Sequence, residues 1–221
     1  MIKKFVFTVF LGLMLLRVSA QASSGTFGSG VELNINGTLT LYALDNGGTT
    51  NLKPTGSSAT LNQTSWANGT EVAPVLNLGT FDPSLGQTLT LTGGSLLTFK
   101  NGGSNVTGAF LDFRVFTPQG TPTGAFTEIS LPFNQDNVGG TGNQRWSTES
   151  AFSNLLAGLA PGNYELGVFL RATTDGADIF SSNFGANYGA NFTVVPEASP
   201  RIFFGVPALL GILFLRRRRT A

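Results

Sequence analysis

The sequence predicts an all-β fold: a β-sandwich or jelly-roll-like single domain, flanked by an N-terminal signal peptide and a short C-terminal transmembrane helix. Three observations lead there. Between positions 31 and 194 apolar residues recur in short alternating segments, separated by clusters of Gly, Asn, Ser and Pro. No long stretch of that body keeps a helical period. Both chain ends are instead continuous apolar runs beside basic residues.

Taken in order, residues 1–20 read as a secretory signal. Lys3 and Lys4 precede a 12-residue apolar run, Phe5 to Leu16, and Val18-Ser19-Ala20 sets small residues before a cut between Ala20 and Gln21. Arg17 is unusual there, and an uncleaved N-terminal anchor is the alternative. Residues 21–30 read as a mobile, small-residue lead into a domain over 31–194. Val31–Ile35 and Thr38–Leu44 form a hairpin around Asn36-Gly37, the strongest short hairpin signal. Thr49–Asn68 is a hydroxyl-rich loop with room for one short strand. Glu71–Leu78, Gln87–Thr92 and Leu96–Lys100 read as separate strands.

The second half is more strongly patterned. Along Gly108–Thr117 the two-residue period sets Leu111, Phe113 and Val115 on one face and Phe110, Asp112, Arg114 and Phe116 on the other. Ala125–Phe133 is the next strand, and Asn134–Gln144 a long loop. Phe152–Leu159 fits a short helix or a strand equally. Pro161-Gly162-Asn163 turns into the strand Tyr164–Thr173, and Asn187–Val195 closes the domain.

The tail, 195–221, begins with Val195-Pro196-Glu197-Ala198-Ser199. Ile202–Leu215 comes next, 14 residues without a charged or hydrogen-bonding side chain. As a helix it spans roughly 21 Å, short for a hydrocarbon core of ~30 Å. Flanking arginines extend its reach by snorkelling, and Pro207 is tolerated in a membrane helix. Arg216, Arg217, Arg218 and Arg219 form a stop-transfer cluster that stays cytoplasmic by the positive-inside rule. A plain type I anchor and a hydrophobic core helix are the alternatives. A lipid-anchor signal fits poorly, because such tails need small residues and a spacer.

This three-part order resembles the PEP-CTERM sorting signal of bacterial exosortase substrates. The departure is Ala198, where the usual motif has a second proline; Pro200 comes later than that. The resemblance covers about the last 27 residues. It implies processing near the motif by an exosortase-type membrane protease, and a location at the cell surface or in an extracellular polysaccharide matrix. With the signal peptide it implies passage through the Sec translocon and an inner-membrane intermediate. The segment from Asn105 through Thr193 is also similar to a β-rich domain of secreted bacterial proteins, which brings no catalytic residue with it.

Charge and composition bound the function. The chain has 13 Lys+Arg and 12 Asp+Glu, but residues 21–196 keep 5 basic and 11 acidic ones, a net of −6. The basic balance belongs to the ends, so no nucleic-acid partner is expected. Cysteine and histidine are absent, which excludes disulfides, Ser-His and Cys-His catalysis, and an ordinary zinc site.

The remaining candidates are few. Asp112 and Arg114 share one strand face, and Glu165, Phe169 and Arg171 share another, so the strands would form a charged network if they pair. Glu128, Glu149 and Glu165 could supply the paired carboxyls of a polysaccharide-acting hydrolase. Asp136, Asp175 and Asp178 lie in Gly- and Asn-rich loops with oxygen donors suited to calcium, without an EF-hand pattern. Trp66 and Trp146 are candidate sugar-stacking residues, although the body's 13 Phe favour core packing. Asn183-Phe-Gly-Ala-Asn187-Tyr-Gly-Ala-Asn191-Phe is a local four-residue repeat. The expectation is an exported, non-catalytic envelope or matrix protein without a cofactor. A carbohydrate-binding module and a hydrolase are the alternatives.

Overall fold

The structure, a computed structural model, describes residues 23–45, 51–63, 66, 69–101, 105–118 and 122–196. Among the described residues there are thirteen strands: β1 (Ser23–Ile35), β2 (Thr38–Ala43), β3 (Thr60–Asn62), β4 (Leu76–Phe81), β5 (Leu89–Asn101), β6 (Val106–Phe116), β7 (Thr127–Leu131), β8 (Phe133–Asp136), β9 (Asn143–Thr148), β10 (Ser153–Asn154), β11 (Gly162–Thr174), β12 (Ile179–Ser181) and β13 (Tyr188–Val194). One sheet runs β3-β2-β1-β5-β9-β8, with β10 beside β5; the other runs β4-β13-β11-β6-β7, with β12 beside β11. β2–β3 and β13–β4 are parallel pairs. The expected all-β sandwich is the fold.

The two-residue period explains how the sheets meet. Val31 and Leu33 of β1, with Leu89, Leu91 and Leu96 of β5, point inward and are fully buried. They pack on Leu111 of β6, Leu166, Val168 and Leu170 of β11, and Ala190 and Phe192 of β13. Each such Leu or Val contributes about 1.5–3 kcal/mol by leaving water. A second cluster (Leu41, Ala43, Leu52, Ala59, Leu97 and Val138) covers the back of the first sheet. Arg145 holds it down: its guanidinium donates to the carbonyls of Asn51 and Lys53 at 3.0 and 3.1 Å, and to Asn134 and Gln135.

The Asn36-Gly37 hairpin forms where expected. Both residues take positive φ, 50° and 86°, as a two-residue turn matched to strand twist demands. Asn36 also ties the hairpin to its neighbour: its side-chain oxygen accepts from the Thr88 N–H at 2.8 Å. The turn before β11 is fixed by Tyr164, whose hydroxyl donates to the Ala160 carbonyl at 2.7 Å.

Several boundaries differ from the sequence reading. The expected mobile lead is part of the sheet from Ser23 onward, because small residues let β1 pair closely with β5. The two strands read at 87–92 and 96–100 are one strand, β5. Gly93 lies inside that strand, where a β carbon would lie 1.9 Å from the Thr148 carbonyl oxygen. The glycine is needed for close approach, not for a turn. Position 71 is not in a strand; β4 begins at Leu76. The loop read at 134–144 carries the end of β8 and the start of β9. Phe152–Leu159 is the short bridge β10 and turns.

The ends of the sandwich are distinct. β1 enters at one end, where Ser23 lies opposite Asn101. β13 leaves at the other, where Val194 lies opposite Gly162 and Phe81. We call these the entry end and the exit end. Residues 1–22 and 197–221 lie outside the described residues, and with them the signal peptide, Ala20 and Gln21, Glu197, Ala198, Ser199, the apolar span and the four arginines. Among the described residues no helix is long and apolar enough to cross a membrane.

Candidate functional site

β6 and β11 pair in the register that joins the two charged faces: Asp112 lies opposite Phe169, and Arg114 opposite Gly167. Asp112 in turn lies opposite Glu128 on β7, and Glu165 opposite Asn191 on β13. Asn77 on β4 continues that row beyond Asn191. The outer face of the second sheet is therefore a patchwork of carboxylates, guanidiniums and phenyl rings.

Two arginines organise it. Arg114 grips Glu71 with two parallel bonds, Nε to Oε1 at 2.9 Å and Nη2 to Oε2 at 2.6 Å. Its remaining nitrogen donates to the Gly124 carbonyl at 3.1 Å. Its guanidinium lies 4.3 Å from the Phe126 ring centre, a cation–π contact. Arg171 bonds Asp112 at 3.2 Å and Glu128, lies 3.7 Å from Asp178, and covers the Phe110 ring at 4.4 Å. The expected charged network is present, and it is more buried than a surface ion pair: the Glu71 side chain is 5 % exposed and Asp112 9 %.

Glu71 was not legible as a site residue. It reaches the network because residues 69–75 fold back over the outer sheet face on a floor of two glycines, Gly167 and Gly189, which lie directly opposite each other. A β carbon on Gly167 would lie 1.8 Å from Glu71 Oε1, and one on Gly189 would lie 2.1 Å from the Thr70 carbonyl oxygen. The Asn repeat now has a role. Asn183 Nδ2 donates to the Gly69 carbonyl at 3.2 Å, and Asn187 Nδ2 to Glu71 Oε2 at 3.1 Å. Asn191 faces Glu165. Two of the three asparagines pin the overlying segment. They do so from a strained loop, in which Asn183, Phe184 and Asn187 all have positive φ.

The electrostatics stem from burial. Desolvation pushes the Glu165 carboxyl above its ordinary value, and the nearby Glu71 charge adds to this. Glu165 Oε2 and Asn191 Oδ1 are both buried without a hydrogen-bond partner. Burial also raises Asp112; the Arg171 charge opposes the shift without cancelling it, and Glu128 adds to it. On the other sheet burial raises Glu32, a buried residue whose Oε1 accepts from Thr92 Oγ1 at 2.7 Å. Glu149 follows β9 of the first sheet and its charge adds to the Glu32 shift, whereas Glu128 and Glu165 lie on β7 and β11 of the second sheet.

The sugar-stacking candidates are corrected. Trp66 is fully buried and meets the Tyr42 ring edge-on at 5.7 Å. Trp146 is 8 % exposed, covered by Phe133 at 5.4 Å, and its Nε1 donates to Thr98 Oγ1. Both indoles pack in the interior, which large apolar rings favour, so neither presents a face to a sugar. The calcium candidates are dispersed: Asp136 ends β8, Asp175 accepts from the Asn105 N–H at 3.1 Å, and Asp178 faces Arg171. Among the described residues no three acidic side chains gather as a metal group would require. Of the sorting motif, Val195 donates its N–H to the Phe81 carbonyl at 2.9 Å, and Pro196 is exposed.

Chemically, the outer face is a latch. Glu71, Asp112 and Glu128 are bound to guanidiniums, and Glu165 is the carboxylate left with an open oxygen. No family model matches the chain, and no curated protein matches it in sequence. Among solved structures, one described as the crystal structure of HiLPMO9B aligns over 80% of this chain and 83% of that one. The two are 16% identical with a TM-score of 0.29, too low to carry a statement about fold or activity.

Proposed function

We propose that this chain is an exported, non-catalytic protein of the bacterial envelope or extracellular polysaccharide matrix. An N-terminal signal delivers it through the Sec translocon. Its tail, which resembles a PEP-CTERM signal, spans the inner membrane through Ile202–Leu215 until an exosortase-type protease acts near Val195–Ser199. The observation that carries this reading is the placement of the domain between the two addressing segments. β1 begins at Ser23, two residues past Gln21, and the last sheet bond is made by Val195 N–H, just before Pro196. The non-catalytic part is supported by the outer face, where Glu71, Asp112 and Glu128 are paired with arginines and the Glu71 pair holds the overlying segment.

Mass spectrometry of the mature protein tests the reading. The expected form starts at Gln21, ends near Glu197 and lacks Arg216–Arg219. A mature protein that retains the four arginines would overturn sorting by cleavage.

A further inference from the structure

The two ends of the sandwich differ in charge. At the exit end the described connections are the Asn36-Gly37 turn, the segment Asp82–Thr88, the segment Leu155–Pro161, and residues 117–118 with 122–126. With the β9–β10 connection, residues 149–152, these contain two charged side chains, Glu149 and Asp82. Asp82 Oδ1 is engaged within its own turn, accepting from Ser84 N at 3.0 Å and Ser84 Oγ at 2.5 Å. The entry end carries Lys100, Asp175 and Asp178 in or beside its connections.

The exit end also exposes apolar side chains. Leu85 is 74% exposed at the tip of the 3-10 turn Pro83–Leu85, and Phe152 is 68% exposed on the flank beside β5. Leu85 lies close to where the chain leaves the sheet. β4 and β13 are parallel, so Phe81 and Val194 end together, and Val195 is bonded to Phe81 only four residues before Leu85. Six residues, 196–201, separate Val195 from Ile202. At ~3.3–3.6 Å each they reach about 20 Å at most. A domain on so short a tether brings its exit end to the surface its tail enters.

We propose that the exit end is a membrane-facing surface. While the tail spans the bilayer, this end rests on the lipid headgroups with Leu85 at its tip, and the Ser23 end points away. The inference rests on the tail reading above and extends it from an address to an orientation. A sparsely charged end loses less hydration on approaching the interface than a more highly charged one, and exposed Leu and Phe side chains gain by entering the headgroup layer.

The absence of cysteine makes the test direct. Leu85→Cys and Gly176→Cys, both at exposed positions, are made in the chain through Ala221 and labelled with an environment-sensitive fluorophore. The protein is reconstituted in phosphatidylethanolamine–phosphatidylglycerol vesicles containing a headgroup nitroxide quencher. Quenching several-fold stronger at 85 than at 176, on protein that floats with the vesicles, is expected. Equal quenching on floating protein overturns the orientation and leaves the tail reading standing. Protein that does not float overturns the tail reading and the orientation with it. Shielding of position 85 from aqueous iodide without lipid quenching means that protein covers this end, which also overturns the proposal. If Leu85→Cys lowers the melting temperature, the exposed neighbour Ser84→Cys carries the label instead.

Discussion

Glu165 and Asn191 face each other across β11 and β13, and each leaves one buried oxygen unpaired. Two acceptors cannot bond each other, but one proton on the carboxyl would satisfy both. This fits the direction of the Glu165 shift, upward from an ordinary value of 4.5 through burial and then through Glu71. A carboxyl that holds its proton more tightly folded than unfolded stabilises the fold fully below its unfolded pKa. That contribution is lost as pH rises through the folded value. Asp112 and Glu32 are shifted the same way and act in the same sense. Denaturant unfolding of the purified domain is therefore expected to show stability falling from pH 4.5 upward. Glu165→Gln, whose amide can donate to Asn191 without titrating, should flatten part of that fall and be the more stable protein at pH 7. An unchanged pH slope in the variant would remove the shared-proton account.

At the scale of elements, legibility depended on how local the cause was. The Asn36-Gly37 hairpin could be read from the sequence because the residues that bend the chain are the turn itself. The alternation put Asp112 with Arg114 on one face of β6, and Glu165 with Arg171 on one face of β11, because a period of two fixes a strand's face without knowledge of neighbours; that the two faces join was settled by the β6–β11 pairing. What the sequence did not reveal was decided by distant contacts. Gly93-Gly94 looks like a turn and is a passing place for Thr148. Trp66 and Trp146 sit among polar neighbours in sequence, yet other strands bury them. Glu71 lies 43 residues from Arg114, and its place depends on a glycine floor that carries no side-chain signal. The segment over that floor gives the element-scale prediction. Gly167→Ala puts a methyl where Glu71 Oε1 lies, so it must lift the 69–75 segment and loosen the Arg114 pair. A loss of about 1–3 kcal/mol, typical of overpacking, is expected in chemical denaturation. Gly176→Ala, with only Thr174 Oγ1 at 3.6 Å, should be close to neutral. Equal effects of the two would mean that the overlying segment is not seated on the sheet.

For the whole molecule, the question is where the described sheet ends and the proposed sorting tail begins. Among the described residues the sheet ends between Val195 and Pro196. Val194 is 3 % exposed and lies opposite Phe81, and Val195 makes the last backbone bond to the sheet. Phe192 is fixed just before it, stacked on Tyr164 at 5.7 Å and edge-on to Phe81 at 6.2 Å. Pro196 has no N–H to extend the ladder. A chain of residues 21–196 is therefore expected to unfold at the same denaturant midpoint as residues 21–221. Shortening further, to residues 21–192, uncovers Phe81 and removes Val194. Burial of one valine contributes about 1.5–3 kcal/mol, and a loss of at least that size is expected. The two truncations bracket the boundary from both sides. If 21–196 is already destabilised, residues beyond Pro196 contribute to the fold, and proteolytic release of the tail would cost the domain its stability. If 21–192 is as stable as 21–196, the parallel β4–β13 pairing ends earlier than Val194 and the motif hangs on a longer free tether. Under the proposed sorting, the expected step between 192 and 196 gives the protease a target that starts at Pro196, reached without unzipping the described sheet.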